Sequence, residues 1–281
     1  MTHTASLFDP FRALPTAERN RQLDAYLAFL RERDGEPDMQ ARTLSERERF
    51  FDALDQAPYR SSIEIDAKAF ADGLAGSAVT DPRLVWLLVA AKANRGERYG
   101  VDLALDKGDP PSLPHDVFVP LEEVYHTRIL LDACAIFGLE LSFEPPPVRT
   151  RRLIAVMERS PEWMRLPVVL CGELTGSALF QLLLDELDLF KDDPEAVERL
   201  RMLLEAILVD ELGHVAYCRA RIGRAGLMAA RALLPTVASG IMTDIPEVAQ
   251  LAGGADRFIE RVKRFEVARD ESVQATAFSP D

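Results

Sequence analysis

The sequence predicts an all-α protein: an antiparallel four-helix bundle with additional N- and C-terminal helices. Three observations carry this expectation. Apolar residues recur at helical spacing along most of the chain, four of these stretches between Thr80 and Gly223 are long enough for bundle helices, and no useful length alternates apolar with polar residues as a half-buried strand does. The 281 residues, 48% hydrophobic with only 15 Gly, suffice for one large domain with a sizeable core.

The elements follow in order. Leu23, Tyr26, Leu27 and Leu30 share one helical face and precede Gly35 and Pro37, which places a first helix over residues 16–33. A second starts at Ser45, where Glu46 and Glu48 fall in the first turn and complement the helix dipole. Both belong to an accessory segment, residues 1–79. The bundle, residues 80–223, opens at Thr80-Asp81-Pro82, with proline near the first helical position, and its first helix runs past Trp86 and Leu103 to Gly108. After a loop containing Pro110, Pro111 and Pro114, the second helix runs to Gly138, and Pro120 is expected to delay its start. Ser160-Pro161 opens the third, which reaches Lys191 and bends at Pro167, and Asp193-Pro194 opens the fourth, which ends near Gly223. Residues 224–281 read as accessory helices packed on the bundle. Their most apolar part, residues 225–242, contains Arg231 and Pro235 and suits a packed helix better than a membrane span.

A formal net charge of −13 would repel a phosphate backbone, so no nucleic-acid partner is expected. Cys134, Cys171 and Cys218 form no C-x-x-C pair and sit in apolar helical patterns, as reduced, buried thiols of a cytoplasmic protein do. Residues 1–15 show no basic segment followed by an apolar stretch, so neither a signal peptide nor a membrane association is expected.

The chemistry lies in two short runs. The second bundle helix contains Glu122-Glu123-Val124-Tyr125-His126 and the fourth contains Asp210-Glu211-Leu212-Gly213-His214. Both read acid-Glu-x-x-His, and positions i and i+3 share a helix face, so Glu123 with His126 and Glu211 with His214 can reach one centre. A carboxylate oxygen beside an imidazole nitrogen suits a borderline transition metal. Glu122 and Asp210, each four residues before the histidine of its own helix, are placed to accept a hydrogen bond from that ring. With 46 acids but only 4 His, two such motifs arise by chance on the order of once in a thousand sequences. His3 and His115 fall in a tail and a loop, and Tyr125 and Tyr217 read as packing aromatics rather than redox residues.

This pattern resembles the ferritin-like di-iron carboxylate superfamily, which includes ferritins, rubrerythrins, acyl carrier protein desaturases and bacterial multicomponent monooxygenases. In that layout a lone Glu on the helix before each motif completes the site. The matching positions are Glu97 and Glu173. Glu173 has the apolar same-face neighbours Leu166, Val169, Leu170 and Phe180, where an uncompensated carboxylate would be costly, and it precedes the turn to the fourth helix by about as many residues as Glu211 follows it. Glu97 has Ala93 and Gly100 on its face, which leave room beside a metal. Ser177, one turn after Glu173, stands where some di-iron monooxygenases carry a hydroxyl that helps deliver protons, and is the candidate catalytic side chain.

The resemblance implies two iron ions as cofactor, with a manganese-iron pair using the same ligands, and O2 as co-substrate. It implies an oxidase or oxygenase acting on a small or elongated organic substrate, with electrons from an external reductase or ferredoxin. Ala93, Gly100 and Gly176 would leave an apolar pocket lined by Leu130, Leu170, Phe180 and Ile207. The added helices are expected to cover that pocket or to form a homodimer interface. Ferroxidase, iron-handling or peroxide-scavenging activity is the alternative, but ferritin-type chains are little more than the bundle and usually lack the second full Glu-x-x-His. Rubrerythrin-type electron transfer is disfavoured by the missing C-x-x-C pairs. The p-aminobenzoate N-oxygenases carry an extra histidine one turn before the last motif, where this chain has Ile207.

Overall fold

The computed structural model describes residues 4–5, 8–106, 113–141, 144–265 and 267–268. Over these residues the chain is all-α. The helices are α1 (Thr16–Asp34), α2 (Ser45–Gln56), α3 (Ala67–Leu74), α4 (Pro82–Asp106), α5 (His115–Ala135), α6 (Val148–Glu158), α7 (Glu162–Asp185), α8 (Pro194–Arg221), α9 (Arg224–Asp244), α10 (Glu247–Leu251) and α11 (Ala255–Arg264). Extended structure among the described residues is limited to two short antiparallel pairings, Thr4–Ala5 with Val267–Ala268 and Pro37–Asp38 with Thr43–Leu44.

The four long helices pack as two hairpins, α4 against α5 and α7 against α8, which meet through α5 and α8; α1 lies on α8, and α9 lies along α7. Local chemistry fixes where they start. At α4, Asp81 accepts from the backbone N–H of Arg83 at 2.8 Å, and Pro82 takes a position whose N–H would have no helical partner. Asp193 caps α8 in the same way through Ala196 N at 3.1 Å, and it also accepts from Ser61 Oγ at 2.7 Å, Ser62 N at 3.1 Å and the Tyr59 hydroxyl. Gly138, in the turn that follows α5, has φ +69°, and a Cβ there would collide with the Arg60 guanidinium.

Packing then sets the register between hairpins. The fully buried Trp86 of α4 donates from Nε1 to the Leu183 carbonyl of α7 at 2.8 Å and meets Phe190 edge-on. Burying an aromatic side chain of this size is worth roughly 3 kcal/mol. At this end Arg83 also bonds the Leu189 carbonyl at 2.7 Å. At the other, Arg221 joins Asp116 at 2.7 Å to Glu162 at 2.6 Å, so the start of α5, the start of α7 and the end of α8 lie together.

Several boundaries differ from the expectation. The second long helix begins at His115 and runs through Pro120, so Glu123 sits about two turns inside it. Without a backbone N–H, Pro120 forgoes one intrahelical bond near the helix start, where tertiary packing outweighs the loss. The third long helix stops at Asp185, and a 3-10 turn over Leu187–Phe190 continues it. Helices α3 and α6 were not anticipated. Gly108, Pro110, Pro111, His3 and residues 269–281 lie outside the described residues. Two stretches, Glu162–Phe190 and Arg224–Asp244, are long and apolar enough to cross a membrane. The most apolar window of the first is 72% buried and thus spent on the core, against 28% for the second. Accordingly α9 packs one face, Leu227, Ala230, Leu234, Ala238 and Met242, and leaves Met228 and Leu233 exposed.

Candidate metal centre

Six side chains from four helices converge between the hairpins: Glu97 of α4, Glu123 and His126 of α5, Glu173 of α7, and Glu211 and His214 of α8. Their ligand atoms fall into two groups, each with all its atoms within 4.8 Å of one another. One is Glu97, Glu123 and His126; the other is Glu123, Glu173, Glu211 and His214. Glu123 belongs to both. Its Oε2 lies 3.1 Å from His126 Nδ1 and its Oε1 lies 3.1 Å from His214 Nδ1, so this one carboxylate spans the pair. Glu211 Oε1 reaches to 3.6 Å from His126 Nδ1, and Glu173 Oε2 to 3.5 Å from His214 Nδ1.

These atoms fit a cation better than they fit one another. His126 Nδ1, His214 Nδ1, Glu123 Oε2 and Glu211 Oε2 are all buried, and none has a partner in hydrogen-bond geometry. Four unpaired polar atoms in one place would each cost on the order of 1–3 kcal/mol if left unsatisfied. Two donors ~2.1 Å from one metal and at right angles to each other lie ~3.0 Å apart, which matches the carboxylate-imidazole spacings. The cluster can therefore hold a metal ion.

The outer ring nitrogens are satisfied, but across the interface. His126 Nε2 lies 3.1 Å from Asp210 Oδ2 of α8, and His214 Nε2 lies 3.1 Å from Glu122 Oε2 of α5. Each acid thus serves the histidine of the other helix, which corrects the expected pairing within a helix. The reason is direction: an inward-pointing ring carries its far nitrogen across the α5/α8 contact toward the neighbouring helix, while an acid one turn back on the same helix lies beside the ring rather than beyond it.

Around this layer lie residues that sequence reasoning missed. Arg33 at the end of α1 donates from Nη2 to Glu122 Oε1 at 2.7 Å and to Asp210, and from Nε to Asp34 at 2.9 Å. Arg47 of α2 donates to Asp210. The Tyr26 hydroxyl donates to Glu122 Oε2 at 3.3 Å. Its ring presses on the backbone of α8 where a Cβ at Gly213 would stand 2.6 Å away, which explains a glycine inside the second motif. No spacing rule links residues 26–47 to motifs some hundred residues later. One signal was readable: each lone glutamate is followed by glycine at i+3, Glu97 by Gly100 and Glu173 by Gly176, within two copies of G-E-x-x-G. A Cβ at Gly96, Gly100 or Gly172 would meet open space, and one at Gly176 would meet the Glu211 carboxylate first, at 3.2 Å.

Electrostatics follow from this crowding. Burial and the neighbouring Glu123 push the Glu97 carboxyl up; burial, Glu173 and Glu123 do the same to Glu211. Burial alone would raise Glu123 as well, but His126 and His214 outweigh it and hold its carboxyl low. Burial opposes the charged form of both rings, yet Glu123 and Asp210 raise His126, and Tyr26 followed by Glu122, Glu123 and Glu173 raises His214, well above the usual imidazole range. Asp210 is held low against the pull of burial by Arg33, Arg47 and His126, while Asp34 is pushed up to about 7 by burial and by Glu122.

The Ser177 hydroxyl donates to the Glu173 carbonyl of its own helix at 2.7 Å, one turn from the Glu173 side chain. His115 is the buried first residue of α5, not a loop residue, and stacks between Tyr26 and Tyr217. Tyr125 donates to Glu48 at 2.6 Å and accepts from Leu44 N at 2.9 Å, which ties α2 to α5. Leu130, Leu170, Phe180 and Ile207 are all buried, and Phe180 meets His126 edge-on. The three cysteines are free and buried, and burial pushes the Cys134 and Cys171 thiols up to about 12. Comparison with protein-family models, with characterised proteins and with solved structures finds nothing that matches this chain.

Proposed function

We propose that this chain is a ferritin-like di-iron protein that uses O2 to oxidise a small or elongated organic substrate. The observation that carries the reading is the set of four buried, unpartnered atoms, two from imidazoles and two from carboxylates, gathered around the one glutamate common to both ligand groups. Charge supports it: the four carboxylates Glu97, Glu123, Glu173 and Glu211 balance two divalent cations, and carboxylates crowded this closely call for a counter-charge. When bound, a pair of Fe(II) ions supplies electrons to O2, a reaction no side chain of this cluster performs.

The chain's own residues prepare the site. Glu122 and Asp210 accept from the Nε2–H groups of His214 and His126, which fixes the tautomer and turns each Nδ1 lone pair inward. Glu123 and Glu173 retain 17% and 16% side-chain exposure while both histidines are sealed, so the cluster opens on the carboxylate side. A substrate would enter there, and electrons would come from a separate reductase or ferredoxin. The manganese-iron form shares these ligands and falls under the same proposal.

The test is metal content per chain after expression with added iron, followed by anaerobic reduction and O2 uptake in the presence of candidate substrates. About two irons per chain with substrate-dependent O2 consumption is the expected result. Iron release into mineral without product would assign iron handling instead. A chain that binds no metal would overturn the reading.

A further inference from the structure

The outer layer of the cluster is built by the N-terminal helices, and its cations sit on the acids that orient the two histidines. Glu122, Asp210 and Asp34 have fully buried side chains. Arg33 alone contacts all three, and Arg47 contacts Asp210 with its Nε 3.8 Å from Asp34. The Arg33 side chain is one-fifth exposed at 20%, so the layer's central cation is inserted from the protein surface by α1. We infer that Arg33, seconded by Arg47 and Tyr26, is a positioning residue: by holding Glu122 and Asp210 against the outer ring nitrogens, α1 and α2 complete the metal centre formed by α4, α5, α7 and α8. This rests on the metal reading above and deepens it.

A carboxylate that orients a ring must itself be fixed, and outer partners of this kind typically change metal affinity by about 10–100-fold when lost. Arg33 presents two planar donors on one guanidinium edge, Nη2 to Glu122 and Asp210 and Nε to Asp34, a fork that lysine cannot reproduce. Without Arg33, Glu122 and Asp210 would face each other and Asp34 with Arg47 as the one cation this layer retains, and both acids would turn away from the rings. α1 also docks by shape: Tyr26 fills the space that Gly213 leaves open, and its hydroxyl makes a further bond to Glu122.

The test uses the full chain and Co(II) as a spectroscopic probe. Wild type, Arg33→Gln, Arg33→Lys, Tyr26→Phe and Asp193→Asn are titrated anaerobically with Co(II), and affinity, stoichiometry and the visible ligand-field spectrum are recorded beside thermal unfolding of the metal-free proteins. Asp193→Asn is the control: it weakens the α8 cap, seventeen positions and ~25 Å along the helix from Asp210. The expected result is an affinity loss of about 10–100-fold and an altered Co(II) spectrum in Arg33→Gln, a smaller loss in Arg33→Lys and Tyr26→Phe, and wild-type binding in Asp193→Asn. If Arg33→Gln does not fold, the lysine and phenylalanine variants carry the same comparison. Wild-type affinity and spectrum in the Arg33 variants would overturn the inference, as would affinity losses that merely track stability across all variants, Asp193→Asn included. Failure of the wild type itself to bind Co(II) or iron would overturn the metal reading and this inference with it, which distinguishes the two failures.

Discussion

Glu123 belongs to both ligand groups and Glu97 to only one, so their alanine variants must part company. Glu97→Ala leaves Glu123, Glu173, Glu211 and His214 in place, enough for one cation. Glu123→Ala removes a donor from each group together with the atom pair that spans them. A ligand present at 100 times its dissociation constant adds ~2.7 kcal/mol of stability per site, or ~5 kcal/mol for two sites. For 281 residues, an unfolding entropy of ~2.1 cal/mol/K per residue gives ~0.6 kcal/mol/K, so full loading should raise the melting temperature by ~9 °C. Glu97→Ala should keep about one metal per chain and roughly half of that rise, ~4–5 °C; Glu123→Ala should keep neither. The assay is a thermal melt of chelator-stripped protein with and without added Fe(II) or Mn(II), with metal counted on the same samples. Indistinguishable behaviour of the two variants, or two tightly held metals in Glu123→Ala, would refute the shared role of Glu123.

Three further outcomes follow from single contacts. Gly213→Ala places a Cβ 2.6 Å from the Tyr26 ring and should cost about 1–3 kcal/mol by overpacking, partly offset by ~1 kcal/mol of helix propensity, measured by urea unfolding of the metal-free protein. Gly176→Val should displace the Glu211 carboxylate, which stands 3.2 Å from the added Cβ, and lower metal affinity while the far-ultraviolet circular dichroism stays unchanged. Asp193 is held low chiefly by the Tyr59 and Ser61 hydroxyls, so its charged form stabilises the fold fully above the ordinary carboxylate range, and this contribution declines as pH falls below about 4. The stability deficit of Asp193→Asn against wild type should therefore be largest near pH 7 and shrink at pH 3; a deficit constant across that range would show that the charge is not what Tyr59 and Ser61 reward.

Most of the cluster was readable because its signals are local. Glu-x-x-His lies within one helical turn, and a proline-marked start such as Asp81-Pro82 or Asp193-Pro194 is written in adjacent residues. What escaped reading depends on tertiary contact. The span of α6 holds Arg149, Arg151 and Arg152 with Leu153 and Val156 exposed, so its apolar pattern does not mark a buried face. The crossed pairing of Glu122 with His214 and Asp210 with His126 follows from how α5 faces α8, which spacing within either helix cannot specify.

The two layers obey one electrostatic logic. Inside, four carboxylates gather at a point where only cations or protons can hold them, and that crowding pushes Glu97, Glu211 and both imidazoles up. Outside, Glu122, Asp210 and Asp34 meet two fixed guanidinium groups, and the acid in excess, Asp34, is the one pushed up to about 7. Fixed cations in the outer layer and exchangeable ones in the inner layer would divide the labour: the arginines hold the orienting acids in place beside the rings whatever the inner site contains. A centre organised in this way would take up a metal with little rearrangement, and loss of the arginine, not of the metal, is what should disorder it.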